Sequence, residues 1–136
     1  WRRYLKPRIA EMFALIRSCG KRVRYHSCGG IRDILPDLID IGLEVLTPVQ
    51  PLAAGMEPLA LKRDFGRHLT LHGGIDMQEL LPHASPARVR EETRRLLDNL
   101  NQDGGWIACS SHNLQPDTPP ENIVVMYEVL LGHELA

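Results

Sequence analysis

The feature that most constrains this chain is a four-fold alternation. Four short runs of β-compatible residues, Val23–His26, Leu43–Thr47, His68–Leu71 and Trp106–Cys109, are each followed by a stretch patterned as helix. Parallel strands need a crossover of a dozen or more residues, usually helical, so this order predicts βα units in a parallel sheet. A helix comes first: Ile9, Met12, Phe13 and Ile16 form one apolar stripe, Gly20 suits its end, and Cys19 fits a small buried filler. Ile31, Ile34, Leu35, Leu38 and Ile41 predict a second helix, kinked early by Pro36 and capped by Gly42. A third covers Met56–Phe65, with Pro58 in its first turn and Gly66 at its end. From Asp76 a short helical turn leads to Ser85-Pro86, an N-cap and N1 pair, after which Val89, Thr93, Leu96, Leu97 and Leu100 line one face of a long helix. Thr118-Pro119-Pro120-Glu121 reads as a capping box with proline at N1, opening a last helix that runs through Leu131 and stops at Gly132.

Each strand ends in residues unsuited to a buried core: His26-Ser27-Cys28, Thr47-Pro48-Val49-Gln50, His72-Gly73-Gly74-Ile75-Asp76 and Cys109-Ser110-Ser111-His112-Asn113. In a (β/α)₈ TIM barrel the C-terminal rim of the strands is where ligands and chemistry sit. Four units make half a barrel, whose edges and interior would be uncovered alone; the other half is therefore expected before Trp1 or on a second chain. A doubly wound open sheet is the competing architecture. No Gly-x-Gly-x-x-Gly or P-loop string follows any strand, which leaves it without its usual nucleotide signature.

The first strand end carries the sharpest chemistry. His26 and Cys28 place an imidazole and a thiol two residues apart, just before the Gly29-Gly30 pair, and both are good zinc ligands if a third arrives from elsewhere. Cys109 and His112 are the candidates for that third position. The alternative is a buried free cysteine beside a hydrogen-bonded histidine.

Composition excludes some function classes. The 136 residues with 43% hydrophobic content suffice for one domain, and a formal net charge of -1 with interspersed signs gives no footprint for nucleic acid or an anionic membrane. Three cysteines, an odd number without a disulfide framework, point to a reducing compartment, the cytoplasm. No apolar run approaches membrane-spanning length, and the start at Trp1, without an initiator methionine or signal-peptide core, suggests a piece of something longer.

With the strand ends in place, the chain resembles the C-terminal half of the uroporphyrinogen decarboxylase superfamily, which also contains cobalamin-dependent methyltransferases. The resemblance runs from about Val23 to Leu131 and rests on Tyr25-His-Ser-Cys-Gly-Gly30, Thr47-Pro-Val-Gln-Pro51, Gly55-Met-Glu-Pro58 with Leu61-Lys62, Phe65-Gly66, Gly73-Gly-Ile-Asp76 and Ser111-His-Asn-Leu-Gln-Pro-Asp-Thr-Pro-Pro-Glu-Asn122. It implies that residues 1–136 are one domain supplying strands five to eight of a (β/α)₈ barrel. The methyltransferase branch implies a zinc site of His26, Cys28 and a distant ligand; the family's distant cysteine falls on His112, while Cys109 lies one strand-turn earlier. That branch also implies a corrinoid presented by a partner protein and a small-molecule methyl donor or acceptor such as a thiol. The decarboxylase branch, metal-free and acting on uroporphyrinogen III, carries a histidine that His112 matches without its flanking glycines, and Arg24 and Arg32 would be its rim cations. Under either branch His112 is the expected catalytic residue. Gln50, Asp76 and Gln115 on the rim are expected to orient substrate, although turns and helix starts use such residues too, and His72 is expected to line the pocket. A non-catalytic half that works only when assembled is the remaining alternative.

Overall fold

The computed structural model describes residues 1–135. Helix α1 (Lys6–Ser18) leads into β1 (Arg24–His26), a 3₁₀ turn (Arg32–Ile34) and α2 (Leu35–Asp40), then β2 (Val45–Val49), α3 (Pro58–Phe65), β3 (Thr70–Ile75), α4 (Leu80–His83), α5 (Pro86–Leu100), β4 (Trp106–Ser110) and α6 (Pro120–Leu131). The strands are all parallel and lie in the order β1-β2-β3-β4. A doubly wound sheet reverses its strand order at a switch point. This sheet adds each strand beside the last, which is the winding of a (β/α)₈ barrel, and its four βα units are a partial TIM barrel.

The pleat sorts the strand residues. Tyr25, Leu46, Leu71 and Trp106 turn to the helical side, where Phe13, Val23, Leu35, Leu38, Leu61 and Leu69 close one core against α1, α2 and α3. A second core of Ile75, Leu81, Val89, Leu96, Leu100 and Met126 joins α4, α5 and α6, and Trp106 packs against both. The alternating positions Arg24, His26, Val45, Thr47, Thr70, His72, Ile107 and Cys109 face the other way. Along this inner face Arg24, His26 and Ile107 are exposed and Val45, Thr70, His72 and Cys109 half-buried. No described helix is long and apolar enough to cross a membrane.

Several expected boundaries move. Pro36 does not kink α2: it sits in the helix's first turn, where its missing N–H has no partner to lose, and the preceding residues form the 3₁₀ turn. Strand β2 runs on to Val49 rather than ending at Thr47, with a register shift between Leu46 and Val49 where Pro48 has no N–H to give the ladder. Strand β3 includes His72, Gly73 and Gly74, so His72 is a mid-strand residue of the inner face and not a strand end. The capping box at Thr118 does not form. The last helix starts at Pro120 with Pro119 as its cap, so Thr118 lies one residue too early, and its buried hydroxyl has no hydrogen-bond partner. Cys19 is exposed, because it extends the outward stripe of Met12 and Leu15 rather than the inward one of Phe13 and Ile16.

Candidate metal centre and its pocket

His26 is the last residue of β1, and the ladder continues one step past it, where Ser27 N–H donates to the Thr47 carbonyl at 2.8 Å. That bond sets Cys28 just beyond the rim, its Sγ 3.0 Å from His26 Nε2. Gly30 is required here, since a Cβ at its position would lie 2.7 Å from the Ala54 carbonyl oxygen of the β2–α3 loop. On the far edge, Ser111 N–H extends the β4 ladder to the Ile75 carbonyl at 2.8 Å, and Ser110 Oγ donates to the His112 carbonyl at 2.6 Å. These bonds fix the turn that presents His112.

His26 and His112 come from opposite edges of the sheet. Three inter-strand spacings of about 4.8 Å would separate the edges of a flat sheet by about 14 Å. The two rings are edge to face with centroids 6.3 Å apart, so the curvature of the barrel segment folds the rims over one another. One ligand atom each from His26, Cys28 and His112 lies within 4.8 Å of the other two. Two imidazoles and one thiol are a zinc-compatible donor set, and three protein donors leave a fourth position for substrate.

Cys109 does not join this group. It pairs with Gly74 inside β4, three residues short of His112, and its sulphur lies 3.6 Å from His72 Nε2. Burial pushes its thiol pKa up, partly offset by the Gly73 N–H hydrogen bond and the Arg24 charge, so the donor that metal needs, the thiolate, is disfavoured there. Its partner His72 bonds Thr47 Oγ1 through Nδ1 at 2.7 Å, and Thr47 also accepts from Arg24 Nη2 at 3.3 Å. Desolvation first, and then Arg24, hold the His72 pKa below the ordinary histidine value. The neutral ring thus bridges the Thr47 hydroxyl at Nδ1 and the Cys109 sulphur at Nε2. His72 is therefore expected to titrate below the usual histidine range by NMR, and Arg24→Met to bring it part of the way back. Because the folded pKa is depressed, His72 favours folding above the unfolded value and this contribution is lost as pH falls through the folded one.

The remaining rim residues divide differently. The Asp76 carboxylate accepts from the backbone N–H groups of Gln78, Glu79 and Leu80, at 3.0, 3.0 and 2.9 Å, and so caps the turn into α4. Gln115 Nε2 donates to the Asn113 carbonyl in its own loop, and neither Gln50 nor Gln115 lines the pocket. That pocket, about 430 Å³, is walled by Arg24, His26, Thr47, Pro48, His72, Cys109, Ser110, Ser111, His112, Asn113 and Leu114. Sequence reasoning leaves Thr47 and Ser111 unassigned; both stand in the polar segments read as strand ends and carry short polar side chains, the signal that could have found them.

The family model of uroporphyrinogen decarboxylase (URO-D) matches residues 1–132. The chain belongs to this family. Among its URO-D relatives, a uroporphyrinogen decarboxylase of Thermus thermophilus is 29% identical over 133 residues, covering 96% of this chain and 36% of the relative. The Vibrio campbellii uroporphyrinogen decarboxylase is 36% identical over 76 residues, 55% of this chain and 20% of the relative. A methyltransferase from Methanosarcina mazei superposes with a TM-score of 0.70 at 22% identity, over 94% of this chain and 35% of that one, and shares the fold. The URO-D chain described here thus spans about a third of the length of the full-chain curated relatives it matches.

Proposed function

We propose that this URO-D family chain carries the metal-binding half of a zinc-dependent methyltransferase that moves a methyl group between a corrinoid, presented by a partner protein, and a thiol or other small acceptor. The observation that carries this reading is the convergence of His26, Cys28 and His112 from opposite sheet edges. Bound there, zinc would supply Lewis acidity that lowers the pKa of a substrate thiol and holds it as the thiolate. The chain's own contribution is placement. His26 and Cys28 arrive on one strand end, His112 on another, and the pocket beside them, about 430 Å³, has room for a small acceptor. His72, kept neutral, and Thr47 form the wall behind the acceptor.

The names of the sequence relatives favour a second reading, metal-free uroporphyrinogen decarboxylation. Within the described residues that reading has one free rim cation, Arg24, because Arg32 is taken up by Asp64, and it leaves Cys28 without a task. Elemental analysis of protein purified without a polyhistidine tag separates the two. About one zinc per chain is expected, together with methyl transfer from a methylated corrinoid to a thiol. Folded, reduced protein that holds no zinc and decarboxylates uroporphyrinogen III would replace the first reading by the second.

A further inference from the structure

Cys28 lies in the stretch between the end of β1 and the 3₁₀ turn, and the β1–β2 ladder reaches into that stretch as far as Ser27. The far side is held by α3 and the loop before it. Gly30 closes on the Ala54 carbonyl, and Arg32, which opens the 3₁₀ turn, is laid along the next residue, Gly55. Gly55 has φ +72, and a Cβ there would lie 3.0 Å from Arg32 Cδ and 3.3 Å from Arg32 Cβ. Beyond this stem the guanidinium reaches three partners. Nη1 donates to the Gly55 carbonyl at 3.4 Å, Nη2 pairs with the Asp64 carboxylate, and the guanidinium carbon stands 5.4 Å from the centroid of the Phe65 ring. A lysine would carry the charge but offers neither the planar fork nor the stacking face. Arg32 does not line the pocket, so these contacts organise the chain itself.

Gly29 and Gly30 leave the backbone after Cys28 permissive, so the place of the thiol depends on a hold at each side of it. Ser27 supplies one and Arg32 the other. We infer that Arg32 is a positioning residue of the candidate metal centre: it fastens the segment bearing Cys28 to α3 and to the β2–α3 loop, and so keeps the thiol 3.0 Å from His26 Nε2. The consequence for zinc rests on the metal reading above; the hold of Arg32 on the Cys28 segment rests on its own contacts.

The full-length protein carrying Arg32→Met, alone and together with Cys28→Ala, tests this by chelator competition for zinc. Arg32→Met is expected to weaken binding about 10- to 100-fold and Arg32→Lys by less, whereas adding Arg32→Met to Cys28→Ala costs no more than about twofold, because the thiol it places is already gone. A nitroxide on Cys28, in a background where it is the sole cysteine, reads the segment without metal. Its motion is expected to quicken about threefold or more in Arg32→Met, while the same label on Cys19, also exposed but on the far side of α1, is unchanged. Unchanged zinc affinity, an equal zinc loss with and without Cys28, or label motion that is unchanged at Cys28 or quickened alike at Cys19 overturns the proposal. Where the protein takes up no zinc, the label decides alone: faster motion confined to Cys28 upholds the hold although the metal reading has failed, and unchanged or general motion overturns it.

Discussion

Cys28→Ala and His112→Ala are each expected to weaken zinc binding by more than about 100-fold, beyond the roughly 10- to 100-fold typical of groups that only orient ligands. Cys109→Ala is expected to leave zinc content at the wild-type level. The contrast arises from placement. Cys28 sits 3.0 Å from His26 Nε2 and shares a cluster with His112, whereas Cys109 faces His72 from inside the strand with its thiol favoured over its thiolate. None of the three side chains contributes to either apolar core, so the variants should remain folded, which circular dichroism would verify. Competition against a chromogenic chelator gives the affinities. Zinc retained by Cys28→Ala but lost by Cys109→Ala would move the centre down into the barrel and undo the assignment of His112.

The βα alternation is readable because each helix announces itself by an apolar stripe and each strand by the polar or glycine-rich residues at its C-terminal end. Ser85-Pro86 and the Val89, Thr93, Leu96, Leu100 stripe appear as anticipated, and Gly132 ends α6 in a left-handed conformation. The exact strand ends are harder. Thr47-Pro48 and His72-Gly73-Gly74 resemble loop sequences locally, yet Thr47 pairs with His26, His72 and Gly74 with Ile107 and Cys109, and Gly73 with Val49 and Ala108, which holds them in the sheet. Local propensity does not register that tertiary demand. The choice between Cys109 and His112 has the same origin. Chain spacing leaves both open, and only sheet curvature, which brings the rings of edge strands to 6.3 Å, favours the later residue. Asp76 shows the converse: an acidic residue at a strand end invites a binding role, while three backbone N–H groups already occupy it.

Gly73→Ala is expected to cost about 2–4 kcal/mol of stability, from a disfavoured conformation plus overpacking. Gly73 has φ +99, where a side chain is strained, and a Cβ there would lie 3.2 Å from Val49 N and 3.4 Å from Ser111 Cα. Both neighbours are backbone in flanking strands or their extensions, so neither can swing aside as a flexible side chain would. The Gly73 carbonyl also accepts the Trp106 indole N–H at 2.8 Å, so a shift in β3 is felt by the residue that packs against both cores. Gly29→Ala is the control: Gly29 has nothing within 4 Å of the added methyl, and a change within about 0.5 kcal/mol is expected. Urea unfolding of the two variants decides the matter. Equal midpoints would mean that the three strands do not close on Gly73. A selective loss in Gly73→Ala, accompanied by weaker zinc binding because Ser111 directly precedes His112, would tie the packing of the inner sheet to the geometry of the metal centre.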